Sequence, residues 1–281
     1  MKKINFSTLT IATVCYNAAE ELEKTIQNVA RQTYPNIEYL IIDGNSKDNT
    51  LEIIKKYESN ISNYISEKDN GIYDAMNKAI NLAHETKTGD YILFMNAGDT
   101  FVSDTIIEEI FTEIYQNFDS KTDFPDLIYG DYTVINQTFS ETVKAEPLEK
   151  TWRGMKFCHQ SMLLKTNLAK KQLFSGKYIT SDFEQVYELY KKGSSFYYFP
   201  KPIANFKTDG LSSKNKIKVR FESKEIVQKH DKSVKTAFSF WKLILWTFFV
   251  EMLRTTLPTS FFEKMEKLKT KIFGRRKEIT N

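Results

Sequence analysis

The stretch GDYILFMNAGD, residues 89–99, constrains this chain more than any other. Residues 91–95 are five apolar residues in a row, too few for a stable helix and the right number for a strand. An unbroken apolar run, rather than an alternating one, is what a central strand buried on both faces requires. It ends abruptly in Asn96-Ala97-Gly98-Asp99. A carboxylate and a side-chain amide are therefore expected at the carboxyl end of a buried strand, where open α/β sheets bind ligands. Both groups supply oxygen, which hard divalent cations prefer, and such cations complete their shell with substrate phosphates. The plainer alternative is a strand closed by a tight turn, with Asn, Gly and Asp serving only turn geometry.

The residues before this strand repeat one pattern. Residues 9–15 (LTIATVC) read as a buried strand. Asn17 follows as an N-cap, then a helix over 18–32 with Leu22, Ile26 and Val29 on one face. Pro35 breaks the chain. Residues 37–42 form a second strand, and Asp48 or Asn49 caps a helix through Tyr57. Residues 61–66 are a third strand, 67–71 a loop, and 72–84 a helix with Met76, Ile80 and Ala83 at helical spacing. Connections of this length allow right-handed crossovers, so the pattern predicts a mostly parallel sheet with helices on both faces. No G-x-G-x-x-G follows the first strand and no G-x-x-x-x-G-K-S/T occurs, which argues against a dinucleotide-binding Rossmann domain and a P-loop nucleotidase.

Further on, Ser103 is expected to cap a helix to Tyr115. Residues 127–136 read as strand and turn, and 161–164 as another strand. Residues 179–182 open a helix that Gly193 stops, and 195–199 form a last strand. Residues 207–212 read as a polar loop. Beyond Ser213 the chain reads as helical to its end, with a break at Pro258. This divides it into an α/β body, residues 1–212, and a C-terminal helical region, residues 213–281.

With 281 residues the chain has room for one large α/β domain and an appendage. Cys15 and Cys158 show neither metal-ligand spacing nor a disulfide framework, which suits a reducing compartment. The opening MKKINFSTLTIATV passes directly into a strand pattern, so no signal peptide is expected. The net charge of +4 hides an asymmetry: residues 201–281 hold 19 Lys/Arg against 8 Asp/Glu, and the first 200 hold 21 against 28. An acidic body with a basic tail points to an anionic surface as the tail's partner, membrane or nucleic acid.

Taken together, TVCYNA (13–18), IIDGNSKDNT (41–50), SEKDNGIYDAMNKAI (66–80), GDYILFMNAGD (89–99), HQS (159–161) and TSDFE (180–184) resemble the family 2 glycosyltransferases. The GLS after Asp209 is similar to the glycine-rich end of the same pattern. The resemblance runs from residue 8 to residue 213. It implies the GT-A nucleotide-diphospho-sugar transferase fold and inverting transfer. The loop GIYDAMN is most similar to the branch acting in bacterial surface-polysaccharide and exopolysaccharide assembly.

The resemblance also implies roles. Thr13, Tyr16 and Asn17 would lie beneath the nucleotide base and ribose, and Asp43 would accept from a base N–H. The loop 67–71 would close over the nucleotide, with Asp69 as a polar contact. Asp74 and Asn77 are helical neighbours at i, i+3 that would face the site; the alternative is a solvated helix face. Residues 96–99 match the Asp-X-Asp element but depart from it, because Asn96 holds the first carboxylate position. Asn96 and Ala97 would contact the donor. Asp99 would be the ligand for Mg²⁺ or Mn²⁺, whose charge offsets the leaving diphosphate. Asp182 matches the catalytic base, which must lie within hydrogen-bond reach of the acceptor hydroxyl. Its plainer role is helix capping, and Asp131 or Glu184 would be next in line as base. His159 would contact substrate or diphosphate, or else be structural.

In the tail, the longest uncharged run, residues 243–250, is short of the roughly 20 residues needed to span a bilayer. Its tryptophans, phenylalanines and lysines suit helices lying in a membrane interface through residues 237–277. The alternative is packing on the body or on a second subunit. No groove-reading motif accompanies the positive charge, so nucleic acid is not expected. The reading is thus a transferase at the cytoplasmic face of the cell membrane, taking a nucleotide-sugar donor, a UDP-sugar, and a glycan or lipid-linked acceptor, with oligomerisation left open. Two other functions compete. A nucleotidyltransferase would need a basic, glycine-rich loop after the first strand, where TVCYNAAEE is acidic. A non-catalytic sugar-binding subunit of an assembly complex would show no donor hydrolysis.

Overall fold

The computed structural model describes residues 7–83, 90–135, 139–207, 214–256 and 277–278. The glycine-rich segment expected at 210–212 and most of the second tail segment, 257–276, lie outside these residues. The first half of the chain alternates as β1 (Leu9–Cys15), α1 (Ala19–Ala30), β2 (Ile37–Asp43), α2 (Thr50–Lys56), β3 (Asn63–Ser66), α3 (Ile72–Leu82) and β4 (Tyr91–Phe94). These four strands form a parallel ladder in the order β3-β2-β1-β4. Its register sets Cys15 opposite Asp43 and Asp43 opposite Ser66, so the three strands end together at one edge.

Side chains alternate across the ladder with the two-residue period of a strand. Leu9 and Ile11 of β1 pack with Leu22 and Ile26 of α1, Ile54 of α2, and Ile107 and Ile110 of α4 (Ile106–Asn117). Ala12 and Val14 face the other way, onto Met76, Ala79 and Ile80 of α3. Both faces are therefore covered, and the core lies on both sides of the sheet.

Beyond β4 antiparallel pairs join the sheet, which is mostly but not wholly parallel. β8 (Met162–Lys165) pairs antiparallel with β4, and the start of β6 (Leu127–Ile135) pairs antiparallel with β8. The far half of β6 pairs with β7 (Phe139–Val143), while β9 (Phe196–Lys207) runs parallel along its other side. The two-residue strands β5 (Thr100–Phe101) and β10 (Lys277–Glu278) join β9 and β7. Strands this short carry no periodicity to read. The β6–β9 register shifts on either side of Asp131. A Cβ on Gly130 would meet the Ile203 side chain and the Lys201 carbonyl at 2.8 Å, so only glycine allows the strands to approach there.

The remaining helices are α5 (Thr166–Lys171), α6 (Ser181–Lys191), α7 (Lys216–Gln228) and α8 (Val234–Thr256). A third core cluster joins Phe183 and Tyr187 of α6, Ile226 and Val227 of α7, and Phe240 of α8. The helical region expected from residue 213 thus begins with a helix packed into the catalytic body. On α8, Phe240 and Ile244 are buried, whereas Trp241, Leu245, Trp246, Phe248, Phe249 and Met252 are exposed. Residues Val234–Leu253 are long and apolar enough to cross a bilayer, by length and composition alone, and only 11% of that stretch is buried. The uncharged run is shorter than this stretch because Lys235, Lys242 and Glu251 interrupt it.

Candidate active site

Two cavities adjoin at the carboxyl edge of the parallel strands. One of about 270 Å³ lies between Tyr16, which follows β1, and the loop at Asp69 and Gly71. Ile72, at the start of α3, lines both this cavity and a larger one of about 950 Å³. The larger cavity carries Tyr73, Asn96, His159 and Asp182, drawn from α3, the turn after β4, the segment before β8, and α6. Its volume is at the upper end of that of a small-molecule site.

Asp182 is the second residue of α6 and lies in its first turn, at the positive end of the helix dipole. Neither Ser181 nor Asp182 caps the helix; the preceding residue is Thr180, with no side-chain capping bond. Asp182 Oδ1 accepts from the Phe183 backbone N–H at 2.8 Å. The Tyr73 hydroxyl lies 3.1 Å from the same oxygen and 2.6 Å from the Ile179 carbonyl, so its one hydrogen serves one of them at a time. Both contacts fix the carboxylate through one oxygen.

The Asn96 Oδ1 and His159 Nε2 atoms are buried and have no protein partner. A buried polar atom without a hydrogen bond is costly, so two lining one cavity point to a ligand that completes them. The imidazole is packed against Phe94 and Phe174. Burial lowers the His159 pKa, with the Asp182 charge opposing, so the ring is neutral near pH 7.

The turn after β4 is held from beneath by α1. Thr25 Oγ1 accepts from the Gly98 N–H at 3.0 Å and lies 2.9 Å from the Asp99 carbonyl oxygen. Asp99 is buried, and its Oδ1 accepts from the Lys207 N–H at 3.3 Å, tying the turn to the end of β9. An Asp-X-Asp beginning at Asn96 would place its second carboxylate at residue 98, which is glycine with φ +96°. The Lys207 ammonium lies 3.7 Å from where a Cβ on Gly98 would stand. Among the described residues no three His, Cys, Asp or Glu side chains converge on a metal position. The oxygen donors at the turn are one carboxylate, Asp99, and the unpartnered amide oxygen of Asn96. Such a set fits Mg²⁺ or Mn²⁺ only when substrate phosphates complete the shell, which is how Mg²⁺ is usually held.

The structure brings Tyr16 and Asp69 to the smaller cavity and Asn96, His159 and Asp182 to the larger. Of the other expected residues, Asp99 lines neither cavity but belongs to the same turn as Asn96, and Thr13, Asp43, Asn17, Asp74, Asn77 and Ala97 line neither. Thr13 is fully buried and donates to the Met95 carbonyl at 2.7 Å, joining β1 to the end of β4. Asp43 is also fully buried, accepting from Ser66 Oγ at 2.6 Å and from the hydroxyl and N–H of Ser46. Asn17 is not a helix cap: it adopts φ +47° and accepts from the Lys47 N–H at 2.8 Å, fixing the β1 loop to the β2 loop. Asp74 accepts from the Asn70 N–H at 2.9 Å and closes the loop before α3. Asn77 makes a reciprocal pair with the Phe174 backbone, at 2.9 Å each way. Ala97 packs on the core.

Of the alternative bases, Asp131 is buried and accepts from the Ala145 N–H and the Tyr198 hydroxyl, and Glu184 pairs with Lys229. Sequence reasoning missed Tyr73, which lies inside the quoted GIYDAMN loop. It also missed Arg153, Lys156 and Arg220, which line the larger cavity. No motif marks these cations; only the folding of α7 over α6 brings Arg220 there.

The fold has solved counterparts. TarS from S. aureus in complex with UDP-GlcNAc superposes with a TM-score of 0.60 at 14% identity, covering 85% of this chain and 71% of that one. The mannosyltransferase PcManGT from Pyrobaculum calidifontis, in complex with GDP-Man and Mn²⁺, superposes with 0.61 at 14% identity over 86% and 69%. The architecture is that of the GT-A glycosyltransferases. Residues 10–169 match the family model for glycosyl transferase family 2, more than half of the chain, and the protein belongs to that family. A PGL/p-HBAD biosynthesis glycosyltransferase of Mycobacterium tuberculosis is 29% identical over 155 residues, 54% of this chain. The matched stretch spans 57% of that relative's length. The amylovoran biosynthesis glycosyltransferase AmsB of Erwinia amylovora is 26% identical over 221 residues, 73% of this chain and 70% of AmsB.

Proposed function

We propose that this glycosyltransferase moves a sugar from a nucleotide-diphospho-sugar, a UDP-sugar, to a hydroxyl of a glycan or lipid-linked acceptor in cell-surface polysaccharide synthesis, inverting the anomeric carbon. One observation carries the reading: the unpartnered Asn96 Oδ1 and His159 Nε2 line the same cavity as Asp182, next to the cleft between Tyr16 and Asp69. The cleft takes the nucleotide, and the larger cavity takes the diphosphate, the sugar and the acceptor hydroxyl. Asp182 removes the hydroxyl proton as that oxygen attacks the anomeric carbon opposite the diphosphate. Tyr73 and the Phe183 N–H hold one carboxylate oxygen, which orients the other for the proton. His159, being neutral, offers a hydrogen bond rather than a charge. Asp99 with Asn96 would hold Mg²⁺ or Mn²⁺, whose charge stabilises the departing diphosphate. Lys207 adds a positive charge at the same turn.

The exposed face of α8 and the basic tail support a cytoplasmic enzyme held reversibly at the inner face of the membrane. The deciding experiment compares wild type with Asp182→Asn on a panel of UDP-, GDP- and dTDP-sugars. The variant keeps donor binding and loses transfer on the order of 10²- to 10⁴-fold, the usual contribution of a general base. Transfer at the wild-type rate would show that the base is another group, and product with retained anomeric configuration would overturn the single displacement.

A further inference from the structure

The larger cavity does not end at Asp182. It extends to Arg153 and Lys156, which precede β8, and to Arg220 on α7. Trp246 and Val250 of α8 line it there. Trp246 is also 65% exposed, so this end opens beside the apolar outer face of that helix.

Lys216 and Glu251 also line the cavity and pair with each other at 3.1 Å, which leaves Arg153, Lys156 and Arg220 facing Glu146. The Lys156 side chain is only 8% exposed, and its one carboxylate partner among the described residues, Glu146, stands at 3.6 Å and is shared with Lys150 at 3.7 Å. Arg153 and Arg220 make no ion pair among the described residues; Arg153 instead rests on the Trp152 ring. Burial lowers the Lys156 pKa, with Glu146 opposing and repulsion from both arginines adding, and burial lowers that of Arg220. Like charges gathered in a partly desolvated cavity raise the energy of the empty protein and favour an incoming anion. Two guanidinium forks and an ammonium match the oxygens of a phosphoryl group. Arg220 lies beyond the family match, which ends at residue 169.

We propose that Arg153, Lys156 and Arg220 form the acceptor subsite for the phosphoryl group of a phosphate-linked lipid, with its chain leaving the cavity past Trp246. This rests on the reading of the site given above and names its acceptor class. The cations hold the phosphoryl group at the far end of the cavity while the acceptor's sugar hydroxyl reaches Asp182. The apolar chain meets the exposed face of α8.

The test uses the full chain and calorimetric titration with farnesyl diphosphate, inorganic pyrophosphate and farnesol, each with and without saturating UDP. Wild type binds farnesyl diphosphate at least tenfold more tightly than pyrophosphate or farnesol, and UDP does not compete. The double variant R153Q/R220Q loses at least tenfold in farnesyl diphosphate affinity and keeps UDP affinity within twofold. Because Arg220 is half-buried, R153Q alone, at an exposed position, serves as a second variant and loses at least threefold. Equal affinity for pyrophosphate and farnesyl diphosphate would overturn the lipid assignment. Competition by UDP, or a matching loss of UDP affinity in the variants, would assign the cations to the donor instead. Variants that bind farnesyl diphosphate like wild type would overturn the subsite. Failure of wild type to bind UDP would sink the donor reading alone, since the farnesyl diphosphate comparison needs no nucleotide.

Discussion

At the scale of single residues, the candidate site is defined by groups whose hydrogen bonding is incomplete. On the proposed reading, Asn96 and Asp99 would offer oxygen to a cation but too few ligands to hold one unaided, so cation binding would depend on the nucleotide. By calorimetry, Mn²⁺ binds in the presence of UDP and not in its absence. Asp99→Asn, which keeps an acceptor for the Lys207 N–H, weakens that binding on the order of tenfold or more, the loss typical of disturbing even an outer-shell partner. Unchanged Mn²⁺ affinity in this variant would remove Asp99 as ligand. His159 gives a pH signature. Burial depresses its folded pKa below the unfolded value of 6.5. The unfolded chain therefore binds the extra proton, and stability falls as pH drops from 6.5 toward the folded pKa, by at most about 1.4 kcal/mol per pH unit. His159→Asn removes this component, so its unfolding free energy between pH 7 and 5 declines less steeply than that of wild type. Parallel slopes would contradict a buried, neutral imidazole.

At the scale of elements, α7 positions α6. Glu222 of α7 is buried and accepts from the Thr180 N–H at 3.2 Å and its hydroxyl at 3.1 Å, immediately before the helix that carries Asp182. Glu222→Ala leaves that buried N–H unsatisfied. It is expected to cost about 1–3 kcal/mol in denaturant unfolding and to lower turnover with little change in donor affinity. Wild-type stability would mean that the contact between the helices rests on Ile226, Val227 and Phe240 alone.

At the scale of the molecule, α8 serves two masters: Phe240 completes the third core cluster and Ile244 is buried, while Trp241, Leu245 and Phe249 are exposed. Cutting the chain before Lys235 would remove both sets, and loss of a buried Phe alone costs about 3–5 kcal/mol. Replacing Trp241, Leu245 and Phe249 by Gln isolates the outer face. The expected result is a folded protein that no longer co-sediments with anionic vesicles at low salt, whereas wild type does so and is released by salt. Unchanged co-sedimentation would count against the membrane contact. A shift in oligomeric state on substitution would place this face in a protein interface.

The parallel half of the fold was legible in the sequence because it rests on local signals. The apolar run ending in Asn96, the helical spacing of Leu22, Ile26 and Val29, and the turn residues between them each report a short stretch of chain. Asp182 and His159 were legible for the same reason, lying in quoted motifs. What the sequence could not decide was which side chains remain unsatisfied once the chain closes. Asp43 and Thr13, expected as ligand contacts, also bond within the protein to Ser46, Ser66 and the Met95 carbonyl, which strand register brings together. Arg220 carried no motif and reaches the cavity only because α7 packs on α6, and Tyr73, though inside the GIYDAMN loop, is picked out only by its contact with Asp182. Hydrogen-bond saturation and the convergence of charge depend on contacts between distant residues, so only the tertiary structure settles them.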